Sequence, residues 1–133
     1  MMKTHFESDL ATTGVPIVKA EINGKKAYFI VDSGATSSLI ALEVCNDYGV
    51  IVQTASQQIT GVGASTKMYQ SNAIISCEDV NISPVKATPL SNLIQSVKSR
   101  CFIKIAGVIG SDAMRENKLI IDYSNNQLKN GLD

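Results

Sequence analysis

Residues 29–38 constrain the structure of this chain more than any other segment. The apolar sequence Phe-Ile-Val at positions 29–31 leads directly into Asp32, and Ser-Gly-Ala-Thr follows at positions 33–36. Apolar and β-branched residues predict a buried strand. A carboxylate at the end of such a strand costs free energy unless it is used or neutralised. The segment therefore predicts a strand that presents a functional aspartate from a tight turn.

Length and composition indicate one globular domain. The chain has 133 residues, of which 44% are hydrophobic, and its 12 basic residues balance its 12 acidic residues. It has no basic stripe or aromatic-interleaved patch of the kind that binds nucleic acid. Its apolar stretches are strand-sized, which argues against a membrane-spanning segment. We expect a flexible tail over residues 1–13 and a single domain over residues 14–133.

The N-terminal residues and the cysteines bear on the compartment and on metal binding. Residues 1–13 lack the continuous apolar segment of a signal peptide, so the expected location is cytoplasmic. Three widely spaced cysteines and one histidine, His5, do not supply the closely spaced ligands of a zinc site. We therefore expect no metal and no cofactor, and thiols that act as small buried hydrophobes.

Short apolar runs separated by turn signals predict an all-β architecture. Alternation from Ile17 onward, Asn-Gly at positions 23–24 and the returning run up to Val31 predict a hairpin. Further strands are predicted at residues 50–52, 57–59, 66–69, 71–76, 82–90, 118–123 and 127–129. Short helices are predicted at residues 39–48 and 113–117, and residues 92–100 fit a helix or a loop. The whole pattern predicts a closed β-barrel with one or two short helices.

Several polar residues have simple structural interpretations. Hydroxyl and carboxylate side chains next to the predicted helices are candidate N-caps, namely Thr36, Ser37 or Ser38 for the first helix and Ser111 or Asp112 for the second. Asp122 fits a strand end or a turn. The basic residues Lys25 and Lys26, and those within residues 98–104, fit solvated faces.

Three segments follow one another in an informative order. They are the Asp-Ser-Gly-Ala-Thr box that begins at Asp32, the glycine-rich hairpin tip Gly61, Val62 and Gly63, and the apolar-glycine segment of residues 105–110. Together they resemble the retropepsin-like aspartic peptidases, which include retroviral, bacterial and cellular members. The resemblance extends over roughly residues 15–128, which is nearly the whole chain.

The resemblance implies the acid-protease barrel and an aspartic endopeptidase. Two like charges a few ångström apart cannot both ionise, so two carboxylates share one proton. One of them can then activate water while the other protonates the carbonyl of a peptide or protein substrate. The chain has a single Asp-Ser-Gly box. The resemblance therefore implies a homodimer in which the catalytic Asp32 of each copy meets its counterpart on a two-fold axis.

The same resemblance implies roles for the neighbouring residues. Ser33 would hydrogen-bond across the dimer axis, and Gly34 would let backbone and substrate approach closely. Ala35 and Thr36 would complete the active-site turn. The hairpin tip at residues 61–63 would be a flap that closes over an extended substrate. Residues 107–110 would pack beneath the turn as scaffold.

The chain departs from the retroviral pattern at two positions. Retroviral members often have an aspartate where Thr36 stands and an arginine where Ser111 stands, and these two residues form an ion pair near the interface. Here the sequence Gly110-Ser111-Asp112 follows the Gly-x-Asp pattern of bacterial and cellular relatives. The retroviral pattern therefore does not predict the dimer contacts or the outer substrate subsites, although the role of Asp32 is unaffected.

Other interpretations of these residues stay open. A chain with this fold can bind peptides or dimerise without hydrolysing them, and an active form can require removal of residues 1–13. Asp32 also fits a structural turn aspartate, and residues 61–63 fit an ordinary hairpin turn. Residues 61–67 lack the ending of a phosphate-binding loop. Ser33 has no histidine partner outside the N-terminal residues, which argues against a serine nucleophile.

Overall fold

The structure is a computed structural model that describes residues 2–7, 10–61 and 64–131, with side chains for all of these except residues 12 and 54–66. Within these ranges the chain forms twelve strands: β1 (Lys3–His5), β2 (Ile17–Ile22), β3 (Lys25–Val31), β4 (Leu39–Ala41), β5 (Val52–Gly61), β6 (Ala64–Ser71), β7 (Ile75–Cys77), β8 (Val80–Ile82), β9 (Lys86–Thr88), β10 (Gly107–Ile109), β11 (Leu119–Asp122) and β12 (Gln127–Asn130). The same ranges contain three α-helices, α1 (Leu10–Thr13), α2 (Ser91–Cys101) and α3 (Ser111–Asn117), and two 3₁₀ turns at Leu42–Val44 and Asn46–Tyr48.

Most of the strands belong to one curled sheet. Its strand order is β5-β6-β9-β4-β10-β3-β2-β7-β8, and a smaller sheet has the order β1-β12-β11. The core includes the fully buried residues Ile17, Phe29, Ile40, Ile75 and Ile109. The predicted all-β acid-protease fold with short helices is confirmed, in the form of a curled half-barrel that carries α2 and α3.

The β2–β3 hairpin forms as the sequence predicts. Asn23 has φ 52° and Gly24 has φ 79°, and positive φ at both central residues is what a type I′ turn requires. The register places Ile22 opposite Lys25. The first two residues of β3 are exposed, and its last three are buried. This strand therefore runs from an exposed turn into the core and ends immediately before Asp32.

Strand β10 lies between β3 and β4 in the middle of the larger sheet. It pairs in parallel with β3, with Val108 opposite Ile30, and antiparallel with β4, with Gly107 opposite Ile40. A Cβ atom at Gly107 would lie 2.0 Å from the carbonyl oxygen of Leu39. Only glycine permits this approach of two strands. Within the apolar residues 102–110, only Gly107–Ile109 form a strand.

The N-terminal residues are part of the fold, which corrects the expectation of a flexible tail. Strand β1 pairs antiparallel with β12, placing Thr4 opposite Leu128. The side chain of Met2 is 0% exposed and belongs to the core. The edge of the domain is therefore built from residues at both ends of the described chain. Sequence periodicity missed this because a three-residue strand is too short to show it.

The predicted helix over residues 39–48 is wrong. Its first three residues form β4, which pairs with β9 and β10 and buries Ile40 completely. Two 3₁₀ turns follow, and Gly49 ends the second with φ 66°. Tertiary pairing on both sides of β4 outweighs the helical spacing of Leu39 and Leu42. The N-caps predicted for this helix at Thr36, Ser37 or Ser38 consequently do not exist.

Several other boundaries differ from their predicted positions. Residues 50 and 51 precede β5, residues 72–74 are irregular, and residues 82–90 divide between the end of β8 and β9.

The ambiguous segment at residues 92–100 is helical, as part of α2. The carboxylate of Glu43 accepts hydrogen bonds from the Leu90 N–H at 3.1 Å and from the Ser91 hydroxyl. A side chain distant in sequence thus stabilises the start of this helix.

Candidate active site

The carboxylate of Asp32 is exposed at the end of a buried strand. Val31 is only 2% exposed, whereas Asp32 and the next two residues are exposed. The Gly34 N–H donates to Asp32 Oδ1 at 2.9 Å, and the Ala35 N–H donates to the Asp32 carbonyl oxygen at 3.1 Å. The turn therefore orients one carboxylate oxygen of an exposed side chain.

Gly34 lies close to the carboxylate that it holds. A Cβ atom at this position would be 3.2 Å from Asp32 Oδ1, a tighter contact than is usual for such an atom. A side chain here would require the Asp32 carboxylate to shift by a few tenths of an ångström. The predicted role of Gly34 in letting backbone and substrate approach closely stays a prediction.

Strand β10 and the residues that follow it support the turn from below. The Asp32 N–H donates to the Ile109 carbonyl oxygen at 2.9 Å, and the Ser111 N–H donates to the Ala35 carbonyl oxygen at 2.7 Å. A Cβ atom at Gly110 would lie 2.8 Å from the latter oxygen. Residues 107–110 therefore lie where a scaffold role requires them, in direct backbone contact with the turn.

Ser38 and Asp112 join the same two segments through side chains. Asp112 accepts from the Ser38 N–H at 3.0 Å and from its hydroxyl at 2.8 Å. The Ser38 Oγ in turn accepts from the Gly110 N–H at 3.0 Å, and Ser38 is 0% exposed. These bonds fix the end of the active-site turn against the start of α3.

This network was not predicted from the sequence. Ser111 and Asp112 were the predicted N-caps of α3. The N-cap residue is instead Gly110, and no side-chain hydrogen bond caps the helix there. The carboxylate of Asp112 instead faces Ser38, with one further bond to the adjacent Ala113 N–H at 2.7 Å. The Gly-x-Asp pattern was the available signal, but it did not identify the partner.

We expect Ser38→Ala to lower the free energy of unfolding by about 1–3 kcal/mol. The change leaves the Gly110 N–H without its acceptor and removes one donor from Asp112, and buried polar groups that lose partners cost about this much. Urea denaturation measures the effect. Ser124→Ala, at an exposed turn residue, is the matched control and should change stability by less than about 0.5 kcal/mol. Equal effects of the two substitutions would contradict the role of the network.

The predicted glycine-rich hairpin is present. Strands β5 and β6 pair antiparallel up to Gly61 opposite Ala64. Val62 and Gly63 lie outside the described residues, so the flap role of residues 61–63 stays a prediction. Ser33 and Thr36 are exposed in the single chain, and no side-chain hydrogen bond of either is present among the described residues. Their predicted roles likewise stay predictions.

The cysteine thiols are placed for packing. Cys45 and Cys77 are buried, and Cys101 is half-buried. Burial, together with the nearby Glu78 and Asp79 charges, raises the pKa of the Cys77 thiol to about 11. Burial, followed by the Glu43 charge, also raises the pKa of Cys45. Both thiols are therefore protonated and weakly nucleophilic near neutral pH.

Two further features bear on the class of protein. Among the residues that the structure describes, no group of three or more His, Cys, Asp or Glu side chains is arranged to hold a metal ion. None of the helices within the described ranges is both long enough and apolar enough to cross a bilayer.

Comparisons with known proteins agree with this fold. A family model described as retroviral aspartyl protease matches residues 12–122. The EIAV protease, solved with the inhibitor HBY-793, superposes with a TM-score of 0.53 at 16% identity, covering 77% of this chain and 86% of that protein. The retroviral protease-like domain of Ddi1 from Leishmania major gives a TM-score of 0.54 at 19% identity, covering 88% of this chain and 87% of that domain. A search of curated proteins found no match.

The half-barrel and its aspartate-bearing turn define the aspartic protease class, and the family match covers most of the sequence. The chain belongs to the retroviral aspartyl protease family. The solved structures are less than 25% identical to it, so they show the fold alone.

Proposed function

We propose that this protein is an aspartic endopeptidase that acts as a homodimer, with Asp32 from each copy forming the catalytic pair. The observation that carries the proposal is the exposed Asp32 carboxylate, oriented by the Gly34 N–H at the end of a buried strand. A carboxylate presented in this way is available to a substrate and to a second copy of the chain. The family membership supports the same assignment.

Dimerisation follows from the number of carboxylates that the reaction needs. The chain has one Asp-Ser-Gly box, whereas hydrolysis without a metal or a covalent nucleophile needs one group to activate water and another to protonate the carbonyl. Two copies related by a two-fold axis supply both groups from identical turns. In this proposal Ser33, which is exposed next to Asp32, hydrogen-bonds across the axis and aligns the two turns.

The reaction combines proton transfers through the two carboxylates with the cleavage of one carbon–nitrogen bond. The ionised Asp32 removes a proton from a water molecule, whose oxygen attacks the scissile carbonyl carbon. The protonated Asp32 of the partner donates its proton to the carbonyl oxygen. Collapse of the tetrahedral intermediate breaks the carbon–nitrogen bond. The Asp32 that took the proton from water gives it to the leaving amine, and the partner's Asp32 takes back a proton from a hydroxyl of the intermediate, which restores the shared proton of the pair. The substrate lies extended, bonded like an added strand beneath the β5–β6 hairpin.

Cleavage of a mixed peptide library tests this proposal. Hydrolysis by the wild-type protein and not by Asp32→Asn supports the aspartic mechanism, and the cleaved sites define the subsites. Peptide binding without hydrolysis would instead favour a non-hydrolysing module with the same fold. Sedimentation of the protein at the assay concentration must show the dimer, because a monomer that hydrolyses peptides at full rate would contradict the paired mechanism.

We expect hydrolysis to be fastest on the acid side of neutral. The catalytic pair must hold one proton, and its two carboxylates lose that proton as the pH rises. Initial rates measured between about pH 3 and pH 9 at constant ionic strength test this expectation. A rate that still increases above about pH 8 would contradict it.

A further inference from the structure

Three lysines from two distant parts of the sequence converge at the end of the sheet opposite to the active site. Lys25 and Lys26 begin β3, and Lys104 precedes β10. The Ala106 N–H donates to the Tyr28 carbonyl oxygen at 2.7 Å, so the two segments run side by side in parallel. Counting back two residues from each places Lys104 next to Lys26. All three side chains are exposed, in agreement with the solvated faces predicted for them.

The three lysines line one cavity of about 230 Å³. Its floor contains the buried residues Val44, Ile105 and Ala106, and its remaining wall contains Asp47 and Tyr48. With three lysines and one aspartate, the lining carries two net positive charges. The cavity therefore combines an apolar floor with a cationic rim.

Within the described part of the chain, none of the three ammonium groups lies within 4.0 Å of a carboxylate, and the acidic residue paired with Lys26 across β2 is Glu21, which does not line the cavity. Lys25 Nζ donates to the Asp47 carbonyl oxygen at 2.9 Å, which leaves its charge unpaired. Lys26 Nζ lies 5.6 Å from the centre of the Tyr28 ring, a cation–π contact that also requires no anion.

Three ammonium groups that line one cavity repel one another, and an anion bound among them would offset this repulsion. Lysine ammonium groups bind phosphate oxygens as point charges, and a dianion matches the net charge of the lining. We propose that the cavity is a binding site for a phosphate-type dianion, either free phosphate or a phosphorylated side chain. It lies six residues along β3 from Asp32, roughly 20 Å at about 3.3 Å per residue, and acts independently of peptide hydrolysis.

Titration of the full chain with inorganic phosphate at constant ionic strength, followed by backbone amide NMR shifts, tests the site. We expect saturable shifts at residues 25–28 and 104–106. Lys104→Met should weaken binding at least fivefold. Lys98→Met, at an exposed lysine of α2 that does not line the cavity, is the control and should leave binding unchanged. Non-saturating shifts, or equal weakening by the two substitutions, would overturn the proposal.

A second readout is the melting temperature, measured without and with phosphate. Without phosphate, Lys104→Met should raise the melting temperature, since it removes one of the three like charges around the cavity, and phosphate should stabilise the wild-type protein more than this variant. A phosphoserine peptide and its unphosphorylated form distinguish the sources. Tighter binding of the phosphopeptide than of phosphate identifies a peptide ligand, and equal binding identifies the free ion. An unchanged melting temperature together with no phosphate binding would refute the site.

Discussion

Asp32→Asn is expected to reduce peptide hydrolysis by at least about 10³-fold while leaving the fold intact. Asparagine cannot remove a proton from water or carry the shared proton of the pair. It retains an oxygen that accepts from the Gly34 N–H, the bond that orients residue 32 at 2.9 Å. The turn therefore keeps its geometry while its chemistry is lost. The turnover number on a peptide cleaved by the wild-type protein measures the effect.

The control for this prediction is Glu116→Gln, which neutralises an exposed carboxylate on α3 away from the turn. It should hydrolyse the peptide at the wild-type rate. Circular dichroism and sedimentation should give the same fold and the same oligomeric state for both variants and the wild type. Undiminished turnover by purified Asp32→Asn would show that another group performs the chemistry.

Gly107→Ala is expected to destabilise the domain by about 3 kcal/mol or more, in the upper range for overpacking a core. The added Cβ atom would lie 2.0 Å from the Leu39 carbonyl oxygen and 3.1 Å from the Ile40 Cα atom. Both are backbone atoms of β4, so relief requires one central strand to move away from the other. The midpoint of urea denaturation measures the loss.

Gly24→Ala is the matched control because it adds the same methyl group where nothing lies within 4 Å. Its φ of 79° makes alanine unfavourable through backbone conformation alone, at a cost of about 1–2 kcal/mol. Gly107 does not have a positive φ, so this backbone cost applies to Gly24→Ala alone, and the contact in the sheet costs at least the difference between the two variants. If Gly107→Ala were no more destabilising than Gly24→Ala, the close approach of β4 and β10 would be wrong.

Elements defined by neighbouring residues could be predicted from the sequence. The Asn23–Gly24 turn and strand β3 carry their signals locally, as positive-φ turn residues and as an apolar run that ends at Asp32. The Asp-Ser-Gly-Ala-Thr box likewise lies within five consecutive residues. These parts of the fold and of the candidate site did not depend on knowing which strands are neighbours.

Features that depend on distant partners could not be predicted in the same way. Residues 39–41 became a strand because β9 and β10 pair with them on either side. Ser38 and Asp112 are 74 residues apart, and neither sequence neighbourhood indicates the other. Met2 is buried because β1 pairs with a strand at the opposite end of the chain. In each case the tertiary partner supplied information that periodicity does not contain.

The insertion of β10 between β3 and β4 also determines when the candidate site can assemble during synthesis. The turn at Asp32 is made early, but its supporting bond to Ile109 and the bonds of Ser38 to Asp112 come from residues translated much later. Closing such a long loop is slow compared with forming a local hairpin. A nascent chain that has not yet reached β10 therefore holds the aspartate without its support. The backbone of the turn is thus anchored only after most of the domain has been made, although the Gly34 N–H can orient the carboxylate earlier.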